Sequence, residues 1–85
     1  MLICQVQDKC VSTIKNEALQ GYSLMIVQKI NKDGKKTGEL IVAVDTLGCS
    51  IGETVIIVTG SSAKAALTDK NSPVDAVIIG IVDSL

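Results

Sequence analysis

Ser61 and Lys64 stand three positions apart in the stretch "GSSAKAAL", residues 60–67, the S-x-x-K spacing used by acylating serine hydrolases. On a helix that spacing sets a hydroxyl and an amine one turn apart. A short K-T-G, Lys36-Thr37-Gly38, accompanies it. The context opposes catalysis. Enzymes of that kind need a large two-part scaffold and an S-D-N element, and an 85-residue chain supplies neither. Lys36-Thr37-Gly38 falls in an expected hairpin tip rather than along a strand lining a cleft. The stretch reads better as a helix start. Gly60 frees the backbone to turn, Ser61 or Ser62 caps an exposed N–H, and Ala63, Ala65 and Ala66 favour helix while packing closely.

The other constellations are no stronger. The chain has no histidine, so Ser-His and Cys-His dyads are unavailable and the commonest general base is absent. Asp45, Glu53, Asp75 and Asp83 fall at expected strand ends, where carboxylates cap turns or pair between chains. Gly48 to Gly52 is G-x-x-x-G with no following lysine, which gives a phosphate cradle little support. Cys4, Cys10 and Cys49 are odd in number and lack C-x-x-C spacing. Three scattered thiols without an imidazole do not suggest zinc. Neither a catalytic residue, a cofactor nor a metal is expected.

The secondary structure that would hold these residues is that of a small β protein. Leu2, Cys4 and Val6 alternate with Ile3, Gln5 and Gln7 as a first strand. Asp8-Lys9 interrupts it before Cys10 to Ile14, which predicts a bulge or bend. Lys15 to Tyr22 is a connection with a single turn around Asn16 to Leu19, ending at Gly21. Leu24 to Ile30 is a second strand, rich in β-branched residues. Asn31 to Gly38, "NKDGKKTG", is a hairpin loop with Asp33-Gly34 at its tip; its lysines, with Lys29, form a basic cluster that reads as a solvated loop. Glu39 to Asp45 is a third strand and Thr46 to Glu53 a glycine-punctuated turn. Thr54 to Thr59 is a fourth strand, then the short helix and a loop, "TDKNS". Pro73-Val74-Asp75 leads into a last strand, Ala76 to Asp83. Five strands and one helix fit a small five-stranded barrel of the oligonucleotide-binding type.

Composition bounds the partners. One domain over residues 1–85 is expected, and a chain this short folds marginally without help. Apolar residues make up 47 % of it, mostly Ile and Val, with one tyrosine and no Phe or Trp. Such a core has little bulk per residue, so its apolar strand faces are expected to continue into subunit contacts. Single-stranded nucleic acid is a poor partner, because binding it takes aromatic stacking platforms and a basic groove. A formal net charge of −1 and no arginine supply neither. The run Ala76 to Val82 is too short to span a membrane. With free thiols and no evident export signal, a soluble cytoplasmic protein is expected.

Taken in order, several segments resemble the EutN/CcmL family, the vertex proteins of bacterial microcompartment shells. They are Thr13-Ile14-Lys15, Leu19-Gln20-Gly21, Leu24, Val42-Ala43-Val44-Asp45, Gly48, Gly52-Glu53, Gly60-Ser61-Ser62-Ala63, Pro73-Val74-Asp75 and Gly80-Ile81-Val82-Asp83. The resemblance covers essentially the whole chain. It implies a structural protein, not an enzyme: a small barrel whose five copies close into a ring that plugs the five-fold corners of a polyhedral shell in the cytoplasm. The implied partners are four further copies of itself and hexameric facet proteins of another fold. The pattern looks more like the catabolic type of compartment than the carboxysome. Candidate intersubunit positions are the turn with Gly48, Cys49, Ser50, Gly52 and Glu53, and the segment Gly60, Ser61, Ser62, Ala63 and Lys64. Glu53 and Lys64 are candidates to pair across subunits.

The chain departs from the family pattern in two places. Cys49-Ser50 replaces the usual Ala-Gly, and a positive φ at residue 50 would then be costly, so a differently shaped turn is expected. Cys49 reads either as a small buried apolar residue or, if the turn lies near a five-fold axis, as one of five clustered thiols. Lys64 takes the place of an arginine and cannot form a planar bidentate contact. A competing reading is a monomeric or dimeric barrel that binds a peptide or small ligand in an open groove. A narrow axial pore is a third, though no ring of charges can be placed on an axis.

Overall fold

A computed structural model describes residues 1–10, 22–66 and 74–84, except for the side chain of Lys64. Its elements in chain order are strands β1 (Leu2–Cys10), β2 (Ser23–Ile30), β3 (Lys36–Asp45) and β4 (Thr54–Thr59), helix α1 (Ser61–Ala65) and strand β5 (Ala76–Val82). The strands close into a barrel in the order β1-β2-β3-β5-β4. All pairings are antiparallel except β3 with β5, a short parallel contact at Val44–Val77 and Asp45–Ile78. This is the expected five-stranded barrel with one short helix. Closure through that short contact pairs β3 on both sides only at its C-terminal end.

Alternation places the core. Cys4, Val6, Met25, Val27, Ala43, Val55, Ile57 and Ile78 point inward and pack together, joined by Cys49 and Ala76, with Leu2 and Ile41 against them. A second cluster lies on the outer wall, where Val44, Val58 and Val77 are covered by Ala63 of α1 and by Val74, with Tyr22 and Leu24 alongside. The helix is therefore a lid over one apolar patch of the barrel exterior. Ala63 is fully buried, so the small side chain there lets α1 approach β4 and β5.

Boundaries differ from the sequence reading in several places, β2 for one beginning at Ser23 rather than Leu24. β1 runs unbroken through Asp8 and Lys9 to Cys10, with its register shift one residue earlier, between Val6 and Asp8. The bulge absorbs the polar residues without ending the strand. The hairpin loop is shorter than Asn31–Gly38, because β3 begins at Lys36. Asn31 closes the loop: its Oδ1 accepts the N–H groups of Asp33 (2.9 Å) and Lys35 (3.0 Å), and Gly34 adopts φ +81°. Lys36-Thr37-Gly38 consequently lies within a strand rather than at the tip, where Gly38 accepts a hydrogen bond from Gln28 Nε2 at 2.8 Å. β5 ends at Val82, so Asp83 lies just past it. The expected strand over residues 11–14, the connection to Gly21 and the "TDKNS" loop lie outside the described residues.

Candidate functional site

The turn from Thr46 to Glu53 is built on one carboxylate. Asp45, the last residue of β3, is 7 % exposed. Its Oδ1 accepts the N–H groups of Leu47 (2.9 Å) and Gly48 (3.1 Å), and its Oδ2 accepts that of Cys49 (2.7 Å). Burial raises the Asp45 pKa, but the N–H groups of Leu47 and Cys49, the Cys49 thiol and the Gly48 N–H together hold it below the ordinary carboxylate value. Gly48 supplies the positive φ, +79°, that lets three successive N–H groups converge on one side chain.

Cys49 is buried in the barrel core, and its thiol donates to Asp45. Burial first, then that hydrogen bond and the nearby charges of Asp45 and Glu53, push its pKa up to about 12. Of the two sequence readings, the subunit favours the small buried residue; the thiol faces the interior of its own barrel. Ser50 does not take a positive φ, and among the described residues no non-glycine does. Gly52 supplies the second reversal at φ +92°. The Cys49-Ser50 departure therefore leaves the turn's two reversals on glycines.

The second half of the turn is fastened to β1. The Ser50 N–H donates to Glu53 Oε1 at 2.6 Å and the Glu53 N–H to the Ser50 carbonyl at 3.2 Å. The Gly52 N–H donates to the Val6 carbonyl at 2.8 Å, and the Val6 N–H to the Glu53 carbonyl at 2.9 Å. Gln5 Nε2 adds a 3.4 Å contact to the Gly52 carbonyl. What this braced turn presents outward is apolar: Leu47 is 48 % and Ile51 64 % exposed. The turn's Asp45 carboxylate and Cys49 thiol are buried and engaged with each other, while its two aliphatic tips are exposed.

At the helix start Gly60, not either serine, holds the cap position. Its φ is +64°, its N–H donates to the Asp75 carbonyl at 2.9 Å, and its carbonyl accepts the Ala63 N–H at 3.1 Å. Ser61 is the first residue of α1, and Ser61 and Ser62 are both exposed. The expected serine cap gives way to glycine because the chain reverses sharply between β4 and α1. Lys64 lies in α1, with its side chain outside the described residues.

The two candidate segments are not one site. The six residues of β4 separate Glu53 from Gly60, about 20 Å along an extended strand. Other exposed aliphatic positions had no place among the sequence candidates: Ile3, Leu40, Val42, Ile79 and Ile81. Of these only Ile3 carried a sequence signal, on the alternate face to Leu2, Cys4 and Val6. Among the described residues no group of three His, Cys, Asp or Glu side chains is placed to hold a metal ion, and no helix is long and apolar enough to cross a membrane.

Comparison with known proteins agrees with this geometry. The family described as "Ethanolamine utilisation protein EutN/carboxysome" matches residues 1–83. The shell vertex protein EutN of Escherichia coli K12 is 38 % identical over 85 residues, covering all of this chain and 90 % of that protein. The carboxysome shell vertex protein CcmL of Synechococcus elongatus is 36 % identical over 85 residues, covering all of this chain and 86 % of its own. Among solved structures, the pentameric microcompartment shell protein GrpN of Rhodospirillum rubrum superimposes with a TM-score of 0.88 at 39 % identity. That match covers all of this chain and 98 % of the other.

Proposed function

The chain belongs to the EutN/CcmL family, and from that premise we propose that it is a structural shell subunit whose homopentamers cap the five-fold vertices of a bacterial microcompartment. The observation that carries this reading is the full-length match, in sequence and in barrel, to a relative named as a pentameric shell protein. Residues 1–85 act as one vertex domain. A shell tiled with hexagonal units needs pentagonal ones to close, so the work required of this subunit is geometric. A ring of five uses a heterologous contact, in which two different surfaces of each copy meet. The braced turn bearing Gly48, Cys49, Ser50, Gly52 and Glu53, and the α1 start bearing Gly60 to Lys64, lie at opposite ends of β4 and serve as contact elements there. Hexameric facet proteins are the outer partners, and the compartment is of the catabolic type rather than a carboxysome.

Native mass spectrometry at low micromolar concentration tests the assembly. A dominant five-fold species supports the vertex role; a hexamer or a stable monomer overturns it. Co-expression with hexameric facet proteins tests the partner, since closed polyhedral particles should form only when this chain is present. Purified native shells whose cargo fixes carbon dioxide would overturn the catabolic assignment.

A further inference from the structure

The barrel exterior carries two separate apolar faces. On the wall formed by β1, β4 and β5, Ile3 stands opposite Ile56, and Ile56 opposite Gly80. A Cβ added at Gly80 would sit 3.9 Å from Ile56 Cδ1, so Gly80 leaves a low place beside that side chain. The register between β4 and β5 slips here, making Ile79 the extra residue, and it is 42 % exposed. The result is an aliphatic floor with a missing side chain on its β5 side.

The second face lies on β2 and β3. Ile26 pairs with Val42 and Gln28 with Leu40, and Leu40 and Val42 are 62 % and 50 % exposed. Leu40 is the more prominent of the two. Between the faces runs a polar seam, the cross-strand pair Gln5–Gln28.

Charge is segregated in the same sense. The hairpin beside the Leu40 face carries exposed Lys29, Lys32, Lys35 and Lys36 against Asp33 and Glu39. The turn, β4 and β5, with the residues flanking β5, carry Glu53, Asp75 and Asp83, and no lysine occurs in 46–59 or 74–83. β1 adds Asp8 and Lys9, and Lys29 stands across from Cys4 of β1, so the floor is rimmed by acid along β4 and β5 and by mixed charge at its β1 edge, whereas the hairpin is mainly basic. That arrangement favours head-to-tail contact and disfavours like against like.

We propose that the ring contact seats Leu40 and Val42 of one copy of this chain on the Ile3–Ile56–Gly80 floor of the next, with Leu40 entering the place left open at Gly80. This rests on the five-fold reading above and names the surfaces that realise it. Each copy offers one face of each kind, so the contact propagates around the ring and consumes both faces of every subunit. Leu40 is the central anchor, and truncating such an anchor weakens binding at least about tenfold.

The test is complementation between two disabled surfaces. Wild type is first counted by native mass spectrometry; a non-pentameric wild type sinks the vertex reading itself. With a pentameric wild type, Leu40→Glu and Ile79→Glu should each give folded monomers by circular dichroism and native mass. Mixed in equal amounts they should form a one-to-one heterodimer and no larger ring. One good face remains on each, and the two good faces are complementary. Pentamers persisting in either variant, or two monomers that fail to pair, overturn the proposed contact while leaving the wild-type pentamer intact. If a glutamate variant does not fold, Leu40→Ser and Ile79→Ser carry the same comparison.

Discussion

The Asp45 carboxylate accepts three backbone N–H groups and the Cys49 thiol within a single turn, so the charge of one and the proton of the other belong to the same structural unit. Asp45 has a native pKa below the ordinary value. Its contribution is therefore present above the unfolded carboxylate value and lost as pH falls through the depressed native one. Asp45→Asn should show a flatter acid limb in urea midpoint against pH. At neutral pH it should be destabilised by about 1–3 kcal/mol, because an amide N–H₂ would then face a backbone N–H. Cys49 has the opposite sign. Its pKa rises from 9.0 to about 12, so its contribution is full below the unfolded thiol value and fades between those limits. The alkaline fall in stability should be shallower in Cys49→Ala. The same burial predicts thiol chemistry: Cys4 and Cys49 are buried and Cys10 only partly so. Brief treatment of the native protein with iodoacetamide should modify Cys10 alone, and all three after denaturation. Rapid native labelling of Cys49 would contradict the interior placement.

At the scale of elements, the turns are set by glycines whose φ values differ in cost to a side chain. Gly60, at +64°, lies inside the left-handed region open to other residues, whereas Gly48 at +79° and Gly52 at +92° lie beyond it. A Cβ at any of the three meets open space, so the penalty is backbone strain alone, about 1–2 kcal/mol for a residue held left-handed. Thermal unfolding of the alanine variants should rank Gly60→Ala as mildest, then Gly48→Ala, with Gly52→Ala worst; equal losses would show that φ does not decide the cost. These glycines also mark how far the sequence could be read. The extent of β4, the helix after Gly60 and the turn after Asp45 were legible because glycine and polar residues bracket Val/Ile runs. The start of β3 was not, since Lys36-Thr37-Gly38 looks like loop by composition yet pairs with β2. The serine cap failed because a reversal at positive φ outranks a side-chain acceptor. Most of the surface aliphatics were hidden for another reason: "ELIVAV" and "AVIIGIV" are apolar on both faces, and continuous runs do not say which side meets solvent. Only the barrel's register separates buried Ala43 and Ile78 from exposed Val42 and Ile79.

For the molecule as a whole, a core of Val, Ile, Cys, Ala and one Met, with one tyrosine in the chain, gives each subunit little apolar bulk to set against the entropy of ordering its backbone. The aliphatic surface left outside, on the turn and on both walls of the barrel, is burial still available on association. Ring formation and subunit stability are then linked by mass action, because the ring draws on the folded state alone. For a pentamer that dissociates as it unfolds, each tenfold rise in protein concentration adds about 1 kcal/mol per subunit, a shift of about 4–8 °C in Tm for a domain of this size. Wild type should show that dependence across a hundredfold dilution series followed by circular dichroism. Leu40→Glu, deprived of one face, should unfold at a lower Tm that does not move with concentration. A wild-type Tm independent of concentration would mean that the subunit is stable alone, and that ring closure adds shape to the shell without adding stability to the fold.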